Sequence, residues 1–389
     1  MTIDRRDTAS DDGDGPVRSL FWVSVGFYVL IAFEFFYMAS PFAAYFYAVY
    51  GPGMNGLEAS GLADWTLWFF LPHIVVDTRS SLVNHAGAIG AALLLGGLFV
   101  FAIGAFRVYR AKLRGRGAVT GGLYAVIRHP QYAALIVASV GMLLVWPRFL
   151  VLFATATVVF AYVLLARAEE SICLRRFPAY AAYRERVGMF VPRSWTTWLS
   201  GLGDGSTTGL ARVLIWIAAF CLMLVAATTL AFGVRHHAIA SLYTHRTVDG
   251  VYLSIVRLTD GDLERIARIA GGAPEARTVL DPLDGDGTVI AYVVPTEMYI
   301  SEIPMRLPAG ERFGHAVPHD RDPNRYKIVF TRALFGPGGP PPAAGNVLAE
   351  ALNKRPLVEV HVNLGTDAVE AVHPPPETAF YSGRQVPVF

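Results

Sequence analysis

The chain has 389 residues, of which 53% are hydrophobic and 16% charged, with a net charge of +2. So apolar a composition excludes an ordinary soluble enzyme of this size, and the near-neutral charge gives no footing for nucleic acid as a partner. Two cysteines, Cys173 and Cys221, cannot form a disulfide framework and are expected to be small buried hydrophobes.

Met1 to Val17 is polar and acidic, unlike a secretory signal, and is expected to be a disordered cytoplasmic tail (1–17). A membrane region follows over 18–234. Leu20 to Tyr50 is apolar and aromatic, softly broken at Pro41 and charged only at Glu34. Trp65 to Val76 is too short to span and contains Pro72, so it is expected to lie at the interface or to re-enter. Ala86 to Phe106 is rich in Gly and Ala, which lets helices approach closely. Tyr132 to Trp146 and Phe149 to Ala168, separated by Pro147-Arg148, read as a helical hairpin, and Val213 to Val234 is a further span. The fold class expected is an all-α multi-span membrane core of about five transmembrane helices with a C-terminal extramembrane α+β domain.

Arg107, Arg110, Lys112, Arg114, Arg116 and Arg128 fill the connector before the hairpin, and Arg175 to Arg193 is also basic. The positive-inside rule places both in the cytoplasm and the loop from Gly51 to Ser81 on the other side. The polar groups at Arg128 and at Glu169-Glu170 are thereby expected to meet at one membrane face. After Val234 charges, Gly and Pro increase. Val251 to Leu258, Thr288 to Val294, Tyr326 to Phe330 and Leu357 to Leu364 alternate like strands. Leu263 to Ala270, capped by Asp262, and Ala343 to Leu352 are expected as helices, with a Gly/Pro loop over Gly336 to Pro342. Residues 235–389 are therefore an expected extracytoplasmic α+β domain. His315 and His319 flank Pro318, which breaks the helix that a His-x-x-x-His metal pair would need, so no metal site is expected.

Within the membrane region Gly122-Leu123-Tyr124 and Arg128-His129-Pro130-Gln131-Tyr132 interrupt the apolar pattern, and Glu169-Glu170 closes the next long run. Charged groups at membrane depth are costly and usually functional. Each has a plain reading alone: Arg128 as a topology anchor, His129-Pro130 as a helix start, Tyr124 and Tyr132 as belt aromatics, Glu169-Glu170 as partners of Arg167 or Arg175 on a solvated helix end. Together they offer a cation, a proton donor, aromatic faces and an anion.

The ordered series Gly-x-Tyr, Arg-His-Pro-x-Tyr, apolar hairpin, Glu-Glu, then Phe177, Tyr180, Tyr183 and Val191-Pro192 resembles the integral-membrane methyltransferases that include isoprenylcysteine carboxyl methyltransferases and phospholipid N-methyltransferases. The resemblance covers a motif core of 121–192. It departs from the family at Ala134, where a glycine is usual but a small residue still permits close packing, and at Pro178, which can re-aim the following helix. The resemblance implies S-adenosylmethionine as cofactor in a pocket open to the cytosol, bound by Tyr124, Arg128, His129, Pro130, Tyr132, Glu169 and Glu170. It implies Arg128 and Glu170 as catalytic, Arg128 orienting an anionic acceptor and Glu170 aiding deprotonation of an amine. The acceptor implied is lipid-like or prenylated and arrives from the bilayer, with carboxyl O-methylation ahead of phospholipid N-methylation. A non-catalytic membrane sensor using the C-terminal domain is the reading from a different class.

Overall fold

The computed structural model describes residues 55–113, 120–196, 209–283, 288–307, 314–336, 346–377, 381 and 385–389, with six isolated positions before residue 30. The expected tail (1–17) and most of the first expected span fall outside the described residues. The chain divides into two compact units. The first comprises residues 1–35, 87–146 and 151–228, and the second 36–86, 147–150 and 229–389.

The helices follow the apolar runs, because a segment without polar side chains can satisfy its backbone in the bilayer only by helical hydrogen bonding. They are α1 (Ser81–Leu113), the single turn α2 (Leu123–Val126), α3 (Pro130–Val145), α4 (Phe149–Arg176), α5 (Tyr180–Arg186) and α6 (Leu210–Ala240). Three stretches are long and apolar enough to cross a membrane: Ser81–Val108, Phe149–Arg176 and Val213–Ala240. Helix α3 has 16 residues, about 24 Å at 1.5 Å per residue, short of the roughly 30 Å hydrocarbon layer. The described residues thus supply three such helices rather than about five.

In the first unit α1 packs on α3 through residues without bulk. A Cβ on Gly141 would lie 2.6 Å from the Gly90 carbonyl oxygen, and one on Gly97 would lie 2.6 Å from the Ala134 carbonyl oxygen and 2.7 Å from the Ala138 nitrogen. Ala134, the departure from the family glycine, therefore sits at this crossing as a small residue. In α4, Phe160 stacks obliquely on Phe220 of α6 at 4.8 Å between centroids. Leu214, Ile217, Leu222 and Val225 of α6 are exposed, the pattern of a helix whose solvent is lipid. Cys221 is exposed among them, contrary to the expected burial, whereas Cys173 is half-buried against Tyr180 and Tyr183.

The second unit is built on a sheet of β1 (Tyr243–Arg246), β2 (Gly250–Ser254), β3 (Val289–Pro295), β4 (Arg325–Leu334), β5 (Asn353–Asn363) and β6 (Ala368–His373), in sequential order. Only β2 and β3 pair in parallel. A parallel neighbour needs a crossover, supplied by α7 (Asp260–Gly271) and α8 (Pro274–Leu280). Helix α7 buries Leu263, Ile266, Ala267 and Ala270, the one-stripe spacing that faces a sheet. Its cap is Thr259, not Asp262: the Thr259 hydroxyl accepts from the Asp262 amide at 3.1 Å and donates to its carboxylate at 2.6 Å. Tyr252, Ala291, Phe330 and Val358 stand in register on one face, where the Tyr252 hydroxyl donates to the Ala267 carbonyl of α7 at 3.3 Å. On the other face the Tyr292 hydroxyl donates to the Val388 carbonyl at 2.7 Å. With both faces covered, every residue of β3 is buried. The helix expected over Ala343 to Leu352 is only the turn Val347–Glu350 among the described residues, and the Gly/Pro loop lies largely outside them.

Lys327 on β4 is buried, and burial pushes its ammonium down to about 8 against the pull of Glu359 and Glu297. Between about pH 8 and 10.5 the unfolded chain then holds a proton that the folded chain lacks, so stability rises with pH across that window. The rise is expected to be roughly 1–3 kcal/mol. Thermal unfolding of detergent-solubilised wild type and Lys327→Met at stepped pH checks it, since the variant should lose the slope.

Candidate active site

Gly122 caps α2 at φ 67°, a backbone conformation that suits glycine, and so turns the chain to set Tyr124 inward, where it is buried. The next residues run extended. Ile127 pairs with Gly188 in a parallel bridge, and the amides of Arg128 and His129 donate to the carbonyls of Gly188 and Met189 at 2.8 and 3.1 Å. Pro130 then opens α3 at its first position, where its missing N–H is no loss. The His129 ring makes no capping bond; it points instead to the acidic pair.

Glu170 is the centre of the cluster, and it is buried. Its Oε1 accepts from Arg128 Nε at 2.7 Å and lies 3.1 Å from His129 Nε2, while its Oε2 lies 3.4 Å from Arg184 Nε. Arg128 is further engaged through Nη1, which donates to the carbonyls of Arg184 (2.8 Å) and Val187. Glu169 is different. Its side chain is 39% exposed, accepts from the Tyr132 hydroxyl and lies 3.6 Å from His129 Nδ1. His129 therefore sits between the two carboxylates, and its ring stacks on Tyr132 at an interplanar angle of 6°, with Tyr162 also stacked on Tyr132.

Tyr183 donates to the Tyr124 carbonyl at 2.5 Å. The Tyr124 hydroxyl itself is buried and has no hydrogen-bond partner among the described residues. Burial, with Glu169 nearby, pushes that phenol up to about 12, so it remains a neutral donor at pH 7. A buried unpaired hydroxyl is unfavourable by about 1–3 kcal/mol, so it marks a place where a ligand group is wanted.

The residues read from the sequence, Tyr124, Arg128, His129, Pro130, Tyr132, Glu169 and Glu170, thus converge, and the plain reading of Glu170 as a partner of Arg167 or Arg175 is replaced by its pairing with Arg128. Arg167 stacks over Trp216 instead, at 4.8 Å. Arg184 was not anticipated. The signal available was its position four residues after Tyr180 in α5, on a short helix whose Tyr180 and Tyr183 are buried. Pro178 lies in the turn that opens α5, where Tyr180 N donates to the Phe177 carbonyl at 2.9 Å.

With this geometry in place, comparison with protein families is informative: the phospholipid methyltransferase family matches residues 86–179. This segment is similar to that family. The match takes in α2, α3 and Arg128, His129, Tyr132, Glu169 and Glu170, and stops before Arg184. Three helices are long and apolar enough to cross a membrane, so the segment that resembles these methyltransferases sits in an integral membrane protein. Neither the curated proteins nor the solved structures contain a match to the chain.

Proposed function

We propose that the cluster is the cofactor pocket of an S-adenosylmethionine-dependent methyltransferase whose acceptor is an amine-bearing lipid. The observation that carries the reading is the division of labour between the two carboxylates. Glu170 is buried and fully used in holding Arg128 and His129, while Glu169 is left half-exposed beside them. The bound cofactor would supply an electrophilic methyl group on a sulfonium; the protein's task is to bind, orient and exclude water.

The donor set suits that cofactor. Arg184, whose side chain is 49% exposed, is the cation placed to partner a carboxylate. The Tyr132 ring, stacked on His129 and on the buried Tyr162, would form an aromatic wall of the pocket beside a purine. Tyr124 offers its unpaired hydroxyl, and Glu169 forms a negative edge for the cofactor's ammonium and for the acceptor amine. Pro130 fixes the turn that aims His129. Arg128 and Glu170 are read here as positioning residues, not as groups that touch the acceptor.

That assignment also favours one class of acceptor. Carboxyl O-methylation was expected from Arg128 as the cation for an anionic acceptor, but Arg128 is committed to Glu170 and two carbonyls. An amine must lose a proton before it attacks, and Glu169 is the carboxylate with exposure to take it or pass it to water. The family's description as phospholipid methyltransferases supports the same choice. The lipid would enter from the bilayer and the cofactor from water on the side of the basic connectors, which the positive-inside rule makes cytoplasmic; the domain over 235–389 would then lie on the opposite side.

Calorimetric titration of the detergent-solubilised chain with S-adenosylmethionine tests the pocket. Saturable binding is expected, weakened roughly 5–10-fold in Tyr124→Phe, the worth of one neutral hydrogen bond, and abolished in Glu169→Ala. A folded wild type that does not bind would overturn the reading. Binding without transfer to any membrane lipid would favour the sensor alternative.

A further inference from the structure

The second unit contains ligating side chains for which methyl transfer has no use. His73 follows the turn at Asp64–Leu67, while Glu302 and His315 lie in the long connection between β3 and β4. The sequence pairs His315 with His319 at best. The fold brings it instead to His73, more than two hundred residues away along the chain. Nε2 of His315 is 3.5 Å and Nε2 of His73 3.9 Å from the same Glu302 Oε1. One ligand atom from each residue lies within 4.8 Å of the other two.

We propose that His73, Glu302 and His315 bind a divalent transition metal of the zinc class and leave at least one coordination position for an exchangeable ligand. Tetrahedral ligands about 2.0–2.2 Å from zinc stand roughly 3.2–3.6 Å apart, and the two imidazoles lie 3.5 and 3.9 Å from the carboxylate here, a small contraction away from that spacing. Two imidazoles and a carboxylate are a borderline ligand set, which suits zinc better than calcium or magnesium. Glu302 is 3% exposed, and a carboxylate so buried needs a cation.

Supporting contacts hold each ligand. The Ser301 hydroxyl donates to Glu302 Oε2 at 2.9 Å. The His315 ring hydrogen-bonds to the His73 backbone, the kind of outer contact that fixes a ligating tautomer. The His73 amide donates to the Phe389 carbonyl at 3.0 Å, which pins its segment to the end of the chain. A Glu302–His315 ion pair alone would explain two of the three residues. It does not account for the approach of the second imidazole, 5.1 Å between ring centroids and inclined at 64° rather than stacked. Arg148 adds positive charge near His73 and opposes the metal; it is drawn off toward the Phe69 ring and the Gln385 carbonyl.

Three protein ligands with an opening are the pattern of a metal that exchanges a ligand, whereas structural zinc is closed by four. Glu302 also lines a cavity of 310 Å³ with Ser301, Lys354 and Arg355, and the Arg355 guanidinium there favours an anionic exchangeable ligand.

The test uses the untagged full chain in detergent, stripped by chelator and titrated with Co²⁺, then Zn²⁺. Visible ligand-field bands saturating at a single equivalent of Co²⁺ and lost on addition of Zn²⁺ are expected. Loss of an outer contact alone weakens a site about 10–100-fold, so Glu302→Gln and His315→Ala should each weaken it by more than about 100-fold. His361→Ala, which breaks the separate Glu359–His361 pair, should bind as wild type does. Absence of the bands, or zinc uptake in wild type equal to that of Glu302→Gln, overturns the proposal. If the variants do not fold, the wild-type cobalt spectrum and its displacement decide alone.

Discussion

Glu170→Ala is expected to lower methyl transfer by at least about 100-fold and to destabilise the first unit by roughly 3–5 kcal/mol, the effect of leaving a buried charge without its partner. One side chain does both because Glu170 Oε1 is shared: Arg128 Nε donates to it at 2.7 Å and His129 Nε2 lies 3.1 Å away. Without the carboxylate, the guanidinium is buried with only the Arg184 and Val187 carbonyls, and the His129 ring loses the contact that sets its plane against Tyr132. Glu170→Gln keeps an acceptor oxygen and should retain more stability than activity. Arg128→Lys should rescue little, because a lysine cannot reach a carboxylate and two carbonyls as a planar fork does. Turnover per folded protein, with unfolding temperature measured on the same samples, separates the two effects. Near-wild-type turnover in Glu170→Ala would remove the cluster from the mechanism.

Gly97→Leu or Gly141→Leu is expected to destabilise the first unit by about 3 kcal/mol or more, the upper end for overpacking, since the added atoms meet backbone that cannot rotate away. The contact sits below the site: a Cβ on Gly104, further along α1, would stand 4.0 Å from the Tyr124 hydroxyl. Separation of α1 from α3 should therefore loosen the pocket as well. Gly96→Leu is the internal control, because a Cβ there meets nothing within 4 Å. Thermal unfolding and size-exclusion profiles of the three variants in detergent check the contrast. A Gly97 variant as stable as the Gly96 variant would contradict the packing described.

The apolar helices were legible because a bilayer imposes one rule over many residues. The lengths were not: Tyr132 to Trp146 reads as a span, yet the helix it belongs to ends at Val145, before Pro147 and Arg148. In the sheet, β2, β3, β4 and β5 alternate or run apolar, whereas β1 and β6 escaped notice. They are edge strands, half-exposed, with the mixed sequences Tyr243-Thr244-His245-Arg246 and Ala368 to His373, and so carry no hydrophobic period. The members of the candidate site were legible because charge at membrane depth is rare. Their partners were not, since whether Arg128 faces Glu170 or a ligand depends on a turn at Gly122 and a bridge at Gly188 that leave no periodic trace. The His73–Glu302–His315 group could not be read at all, because its members are brought together only by the fold of the second unit.

The most direct test of methyl transfer at this site is incubation of the purified chain with methyl-labelled S-adenosylmethionine and total membrane lipid, followed by identification of the labelled product. A base-stable N-methyl lipid is expected from wild type and none from Glu169→Ala. A base-labile methyl ester would return the acceptor to a carboxylate. Folded, cofactor-saturated protein that labels no lipid would contradict the account.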